Sequence, residues 1–329
     1  MRSMVLHDLR TALIAVLSVI LISCDTSVEK VMPERNLEQQ TVLSLDKILA
    51  GSAMRGGYVP PTLGEVERSE ELFGRILRGE RTDAVDLDLA ELGFRRRAIL
   101  LGDVPLTFIE EAPGRRTGKG IFILRDSPDK SPDVLPVMLQ APHRFHDLDT
   151  GAITARLFEE GIQQGAFEAA AWNTAPRSYE EDGRRIHADL AHISVTHFNA
   201  FTRAFATVHP QSRVAQIHGY EVTRRRTDTA RESMAIISAG VQEPTPHARH
   251  VAHCMADVLH PEPVLLFPED TRALGATTNV NAAALRELGH QGFVHVELSR
   301  SLRARLVNDW ELREQLVPCL TGAHNRGVD

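Results

Sequence analysis

Hydrophobic positions along the chain follow two spacings, one typical of helices and one typical of strands. Apolar residues three and four positions apart predict helices, and short apolar runs bounded by glycine, proline or polar residues predict strands. From about residue 131 onward the two patterns alternate, which predicts a three-layer α/β fold, a mostly parallel or mixed sheet with helices on both faces. The predicted helices there are 152–165, 189–208, 228–239, 280–288 and 301–317, and the predicted strands are 135–141, 168–172, 213–218, 263–267 and 292–298.

The chain before residue 131 is organised differently. Residues 64–80 predict a helix, and residues 98–125 predict two or three antiparallel strands joined by a glycine-containing turn. That turn lacks both the glycine spacing and the following helix of a phosphate-binding loop. We therefore expect an N-terminal helix and hairpin region over residues 59–130 and a single α/β domain over residues 131–329.

The first 24 residues predict a lipoprotein signal peptide. A basic start precedes an apolar run over residues 12–22, which is too short to span a membrane comfortably. The run is followed by Ser23-Cys24, and Leu21-Ile-Ser-Cys24 resembles a bacterial lipobox, so Cys24 is the predicted lipidation site; an ordinary signal peptide is the alternative. The polar stretch 25–58 predicts a tether. We expect the protein in the cell envelope, lipid-anchored to a membrane and facing the periplasm or the exterior.

Composition narrows the chemistry. The net charge is −7, basic residues occur only in short groups and aromatic residues make up 5% of the chain, so the clustered basic pattern of a nucleic-acid-binding protein is missing. Apart from Cys24 the chain contains Cys254 and Cys319, which either pair or remain two separate buried thiols. A cysteine-rich metal site is therefore excluded, and any metal must be held by histidine and carboxylate side chains.

Two predicted strands end in histidine clusters. Strand 135–141 leads into His143-Arg-Phe-His146-Asp147, and strand 213–218 ends at His218, which Gly219 follows. Ligands bind at the carboxyl ends of strands in open α/β sheets. Imidazole and carboxylate are the ligands expected for zinc in a site without thiolates, and three protein ligands leave a catalytic position open. The clusters therefore predict a zinc site; polar residues at the start of a surface loop are the alternative.

Glu297 is a carboxylate within an apolar strand, Val294-His-Val-Glu-Leu298. In such a position it must be ion-paired, protonated or functional. Beside a metal it is suited to act as the general base, with its pKa raised by burial. A structural salt bridge to Arg300 or Arg303 is the alternative.

Two further groups carry candidate chemistry. The cluster His187-Ala-Asp-Leu-Ala-His192 has metal-like spacing at the predicted start of helix 189–208, where Asp189 equally suits the helix dipole. Asn173 and Arg177 follow strand 168–172 and would present an amide and a guanidinium to a substrate carboxylate. Neither a Gly-x-Ser-x-Gly motif nor a glycine-rich dinucleotide fingerprint occurs, which disfavours serine hydrolase and dehydrogenase functions.

The order of these motifs resembles one group of enzymes. Gln140-Ala-Pro-His143, then Gln216-Ile-His-Gly219, Asn279-Val-Asn281 and His295-Val-Glu297 occur as in the zinc-dependent N-formylglutamate amidohydrolase and poly-γ-glutamate hydrolase group, relatives of the zinc carboxypeptidases. The resemblance covers about residues 130–315. It departs from the poly-γ-glutamate enzymes at their His-Gly-Gly loop, which is replaced here by His143-Arg-Phe-His146. The substrate of those enzymes is therefore not assigned to this chain.

The resemblance implies a zinc carboxypeptidase-like fold and a role for each matching residue. The implied zinc ligands are His143, His218 and either Asp147 or His146, and the implied catalytic residue is Glu297. Asn173 with Arg177 is the nearest match to the asparagine and arginine pair that binds the substrate carboxylate in carboxypeptidase-like enzymes.

We therefore predict a membrane-tethered, zinc-dependent amidohydrolase or peptidase that cleaves an amide bond next to a carboxylate. The expected substrate is a small peptide or acylated amino acid of N-acyl, γ-glutamyl or peptidoglycan type, with Arg177, Arg300 or Arg303 holding its carboxylate. The alternatives are a cell-wall amidase of the N-acetylmuramoyl-alanine type and a lipoprotein that binds a metal or ligand without catalysis.

Overall fold

The computed structural model describes residues 40–42, 44–55, 57–114, 116–126 and 135–322. The strands in these residues are β1 Gln40–Val42, β2 Phe94–Leu101, β3 Val104–Glu111, β4 Ile121–Arg125, β5 Val137–Ala141, β6 Ala169–Trp172, β7 Ser178–Glu181, β8 Arg184–His187, β9 Arg213–Tyr220, β10 Ala235–Ser238, β11 Val264–Leu266 and β12 Phe293–Ser299. The helices are α1 Leu45–Ala50, α2 Leu63–Leu77, α3 Asp83–Glu91, α4 Thr150–Gln163, α5 His197–Val208, α6 Asp228–Glu232, α7 Pro246–Leu259, α8 Val280–Glu287, α9 Arg300–Asn308 and α10 Trp310–Thr321.

Ten of these strands form one mixed sheet in the order β1-β2-β3-β4-β6-β5-β9-β12-β10-β11. The centre of the sheet is parallel, since β6, β5, β9 and β12 run in the same direction. Antiparallel pairing flanks this centre, through β2, β3 and β4 on one side and β10 on the other. The remaining two strands, β7 and β8, form a separate antiparallel pair.

Helices cover both faces of the sheet. Successive residues of a strand point to opposite faces, and in β5 the side chains of Val137 and Leu139 join one hydrophobic core while Met138 joins another. Helices α1, α4, α7, α9 and α10 contribute to the first core, and α2, α3, α5 and α8 contribute to the second. The predicted three-layer α/β fold with a mixed sheet is therefore confirmed.

The N-terminal part of the described chain belongs to this same sheet. The predicted hairpin region is continuous with the α/β domain because β4 pairs with β6. β1 pairs with β2, and Leu45 and Leu49 of α1 are buried in the first core. The segment 25–58 that we expected to be a tether is thus, in its described residues from 40 onward, part of the folded domain. The predicted signal peptide and Cys24 lie outside the described residues.

Two predicted helices differ from the observed elements, because tertiary packing overrides the local pattern of apolar residues. The helix expected over 189–208 begins only at residue 197, because the Thr196 hydroxyl caps it by accepting a 3.1 Å hydrogen bond from the backbone N–H of Asn199. The helix expected over 228–239 is the short α6 followed by β10, whose four residues are all buried in the sheet. Periodicity alone does not distinguish a short buried strand from a helix.

The C-terminal third contains further elements that the sequence pattern did not indicate. Helix α7 is one of them, and the single helix expected over 301–317 is two helices, since the Asp309 side chain accepts a 3.0 Å hydrogen bond from the backbone N–H of Leu312 and starts α10. A disulfide joins Cys254 in α7 to Cys319 in α10. Within the described residues, no helix is both long and apolar enough to cross a membrane.

Candidate metal centre

The polar side chains of the candidate site project from three adjacent strands. In the parallel pair β9 and β12, His218 lies beside Glu297, and Gln216 lies beside His295. Gln140 of β5 lies beside Gln216 on its other side. These five residues alternate with apolar residues of the first core, so they share the opposite sheet face, which α5 covers. The sheet thus places a row of polar groups at the carboxyl ends of its central strands.

Three donor atoms converge at this edge. After β5 the chain turns tightly, because the backbone N–H of Asp147 donates a 2.8 Å hydrogen bond to the His143 carbonyl. The turn brings the Asp147 Oδ2 atom to 3.4 Å from Nδ1 of His143 and to 3.3 Å from Nδ1 of His218. All three side chains are buried. The structure therefore brings together two predicted histidines and one of the two alternatives for the third ligand.

The hydrogen bonds around this triad fit a metal ion. Nε2 of His143 lies 2.7 Å from Oδ1 of Asp189, and Nε2 of His218 lies 2.9 Å from Oε1 of Gln216. When both histidines are neutral and donate Nε2–H away from the centre, their Nδ1 lone pairs face Asp147. Two imidazole nitrogens and one carboxylate oxygen form a donor set that suits zinc and leaves a fourth position open. A candidate metal site is therefore present in this fold.

Electrostatics set the two histidines apart. Burial disfavours the charged form of His143, but hydrogen bonds to Asp147 and Asp189 outweigh burial and raise its pKa to about 9. Burial dominates at His218 and lowers its pKa to about 4. Burial also opposes the charge on Asp147, yet hydrogen bonds from both histidines hold the pKa of its carboxyl well below the usual range. Asp147 is thus ionised and can bind a cation together with the two histidines.

Glu297 occupies the buried position predicted for a general base. Burial, reinforced by the negative charge of Asp147, raises the pKa of Glu297 to about 8. Its Oε2 atom is buried and has no hydrogen-bond partner among the described residues, while Oε1 lies 3.7 Å from Nε2 of His295. The alternative salt bridge to Arg300 or Arg303, both in the described part of the chain, is not seen: Arg303 instead donates to the carbonyls of Leu298 and Tyr220. The carboxylate thus remains free to exchange a proton.

A cavity of about 500 Å³ opens onto the triad and carries four arginines. Arg177, Arg224, Arg225 and Arg303 line it together with the three donor residues and Glu297. The Nε atoms of Arg225 and Arg303 are buried without a hydrogen-bond partner in the described structure. Cationic groups that line a cavity favour an anionic ligand.

The remaining predicted site residues fall into different places. His146 is exposed at the rim of the cavity and belongs to none of the candidate metal clusters among the described residues. Asn173 lies outside the cavity, and its amide is used by the backbone, donating to the Pro142 carbonyl and accepting from the Ala175 N–H, both at 2.8 Å. Arg300 is exposed at the start of α9, away from the cavity lining. Asn173 therefore holds the loop after β6 in place.

Asp189 has a role that the sequence did not indicate. The chain passes through residues 189–196 as a loop, which carries the Asp189 carboxylate to 2.7 Å from Nε2 of His143 and to 2.5 Å from Nε of Arg177. His192 lies in the same loop and points Nδ1 at Asp189 at 3.1 Å, whereas His187 lies in β8. Asp189 thus orients His143 and Arg177, as carboxylates beside metal-binding histidines commonly do.

No family model and no curated protein matches this chain. Among solved structures it is similar to an N-formylglutamate amidohydrolase from Ralstonia eutropha, with 10% identity, a TM-score of 0.36 and coverage of 57% of this chain and 92% of that chain. It is also similar to an aspartoacylase family protein from Mesorhizobium loti, with 13% identity and a TM-score of 0.34, covering 69% of this chain and 66% of that chain.

A metallo-carboxypeptidase from Burkholderia cenocepacia is a third similar structure, with 11% identity, a TM-score of 0.33 and coverage of 69% of this chain and 66% of that chain. The identities are low and the TM-scores lie below 0.5, so the indication of function lies in the side chains of the site.

Proposed function

We propose that this protein is a zinc-dependent hydrolase that cleaves an amide bond next to a carboxylate. The observation that carries the proposal is the convergence of His143 Nδ1, His218 Nδ1 and Asp147 Oδ2, with the other nitrogen of each histidine hydrogen-bonded elsewhere. A carboxylate oxygen of Glu297 lies within 4.8 Å of a ring nitrogen of His218. Metal ligands beside a buried carboxylate of raised pKa form the core of a metal-dependent hydrolytic site.

The chain's own residues divide the chemistry between them. When bound by His143, Asp147 and His218, zinc would polarise the substrate carbonyl and lower the pKa of a water molecule. Glu297 Oε2 accepts the proton of that water and later delivers it to the leaving nitrogen. Its pKa of about 8 suits both directions of proton transfer near neutral pH. Burial of the site strengthens these electrostatic interactions.

The arginines of the cavity support an acidic substrate. Arg224 and Arg225 form no salt bridge within the described structure, so their charges are available to a ligand. Arg177 is already bound to Asp189, and Arg303 to Glu221 at 3.3 Å. A small peptide or acylated amino acid with a carboxylate next to the scissile amide fits this distribution of charge.

The test of the proposed function is Glu297→Gln. This variant keeps the shape of the side chain and removes the proton acceptor, so it should bind zinc like the wild type and lose turnover by roughly two to four orders of magnitude. N-acyl-glutamates, γ-glutamyl oligomers and peptidoglycan stem peptides are the substrates to screen. Glu221→Gln, at another glutamate that lines the cavity, is the matched control and should retain kcat.

Two results would overturn the proposal. Near-normal turnover in Glu297→Gln would show that the carboxylate is structural. A wild-type protein that binds zinc but hydrolyses none of these substrate classes would instead favour a lipoprotein that binds metal without catalysis.

We also propose that the protein works in the cell envelope, anchored through a lipid on Cys24. The Cys254–Cys319 disulfide supports an oxidising compartment. Cys24→Ala should abolish labelling by a fatty-acid probe and leave the precursor unprocessed, and equal labelling of both proteins would contradict the anchor.

A further inference from the structure

A chain of hydrogen bonds runs through the sheet behind His218. It links Thr202 of α5, Gln140 of β5 and Gln216 of β9, whose side chains are fully buried. The Gln140 Nε2 donates to Thr202 Oγ1 at 2.7 Å, and the Gln216 Nε2 donates to Gln140 Oε1 at 2.8 Å. Gln216 Oε1 then faces Nε2 of His218 at 2.9 Å. Polar groups so deep in a sheet are costly unless every partner is satisfied.

The direction of this chain is fixed at both ends. Asn279 caps α8, and its Oδ1 accepts the backbone N–H groups of Asn281 at 3.0 Å and Ala282 at 3.1 Å. The Asn279 amide therefore presents only its Nδ2 to Gln216, at 2.5 Å, so Gln216 must accept this hydrogen bond with Oε1. At the other end the Thr202 hydroxyl donates to the Phe198 carbonyl at 2.9 Å, so it accepts from Gln140.

This direction matters because Asp147 favours the opposite tautomer of His218. The Asp147 carboxylate lies 3.3 Å from Nδ1, and a neutral imidazole left to itself there would place its proton on Nδ1 to make a charge-assisted hydrogen bond. Such a proton would occupy the lone pair that a metal requires. Gln216, which can only accept, draws the proton to Nε2 instead.

We propose that Thr202, Gln140, Gln216 and Asn279 form a relay of positioning residues that holds His218 in the Nε2–H tautomer, with Nδ1 open toward Asp147. The functional meaning of the relay rests on the proposed metal-dependent function, but the tautomer itself belongs to the metal-free protein. The α8 cap sets the relay, and the buried amides transmit its direction to the site.

The experiment is nitrogen NMR of histidine-labelled, metal-free protein over a series of pH values, so that the tautomer of His218 is read where its imidazole is neutral. The wild type should show His218 protonated at Nε2. Gln216→Leu removes the acceptor, and the proton should move to Nδ1. The affinity for zinc, measured by competition with a chelator, should fall about 10- to 100-fold, the usual effect of losing a partner of a metal ligand.

Asn279→Asp tests the relay from a distance. Aspartate still caps α8, but its second oxygen faces Gln216 Oε1, so Gln216, Gln140 and the Thr202 hydroxyl should reverse together. Gln216 would then donate to Nε2, and the proton of His218 should move to Nδ1. Asn279→Ser keeps a cap and presents no carboxylate oxygen to Gln216, while Thr202 still fixes the direction of the relay at its other end. It therefore serves as the matched control and should leave the wild-type tautomer in place.

The outcomes separate the relay from the proposed function. A wild-type His218 protonated at Nδ1, or an Nε2–H tautomer that persists in both Gln216→Leu and Asn279→Asp, would overturn the relay. A wild type with the expected tautomer but no affinity for zinc would support the relay as a structural device and overturn the proposed function.

Discussion

The two histidines of the candidate centre face one carboxylate, yet they are held by different kinds of partner. His143 lies in the turn after β5, and its Nε2 is bound by the charged Asp189. His218 lies within β9, and its Nε2 is bound by the neutral Gln216. The pKa values separate accordingly, to about 9 for His143 and about 4 for His218.

This contrast shows how a site can be prepared for a cation without repelling it. In the metal-free protein His143 carries one positive charge between the carboxylates of Asp147 and Asp189, while His218 is neutral with an open lone pair. A metal ion would replace the proton of His143 and find His218 already in a binding form. The charged partner sets how strongly a proton competes with the metal, and the amide partner sets which nitrogen is available.

The largest expected effect is at the carboxylate that both histidines share. Asp147→Asn removes the anionic oxygen from between the two Nδ1 atoms, so the affinity for zinc should fall by more than about a hundredfold, beyond the usual effect of changing a partner of a ligand. His146→Asn is the matched control at the exposed position three residues from His143 and should bind zinc like the wild type. Loss of zinc in the control alone would make His146 the third ligand.

The next effect is the pH dependence of metal binding. Because the proton of His143 must leave, the affinity for zinc should rise about tenfold per pH unit between pH 6 and 8 and level off near pH 9. His218, already neutral in this range, should add nothing to the slope. Competition titrations with a chelator of known pH behaviour would measure it. In Asp189→Asn the plateau should begin at lower pH, and a flat profile in the wild type would contradict the difference between the histidines.

A smaller effect concerns the stability of the metal-free protein. The pKa of Glu297 is raised from 4.5 to about 8, so the folded protein binds this proton more tightly than the unfolded chain does. The contribution of this proton to the free energy of unfolding is fully present below about pH 4.5 and is lost as the pH rises through 8. Glu297→Gln mimics the protonated form at every pH. The variant should therefore gain stability over the wild type as the pH increases from 5 to 8, by an amount on the order of a few kcal/mol. Urea unfolding at each pH would measure it, and a constant difference would show that the carboxyl is not buried in solution.

Much of the sheet could be predicted from the sequence because its central strands are short apolar runs. The strand that leads to His143 and the strands that contain His218 and Glu297 are all indicated by composition and bounding residues, and their parallel alternation with helices implies that their ends meet. Gln140 and Gln216 lie within those same apolar runs, and each is two residues from another polar or turn position. Residues two apart on a strand point to the same face of the sheet, so this spacing is a signal for a buried polar network. Their partners are set by strand register, and register is not visible in one strand alone.

The surroundings of the site were harder to predict, since they depend on loops. Asp189 was assigned to a helix because residues 190–208 carry apolar side chains at helical spacing. The Thr196 cap starts the helix later and releases residues 189–196 to reach His143. The same limit applies to Asn173, whose polar ends satisfy backbone groups that only the folded loop brings near.

The most direct test of the metal centre is a crystal structure of the zinc-loaded protein with anomalous diffraction at the zinc edge. We expect one strong peak per chain, bonded to Nδ1 of His143, Nδ1 of His218 and a carboxylate oxygen of Asp147. A structure without a peak at this position, or with its peak bonded to Asp189 and His192 instead, would contradict the account.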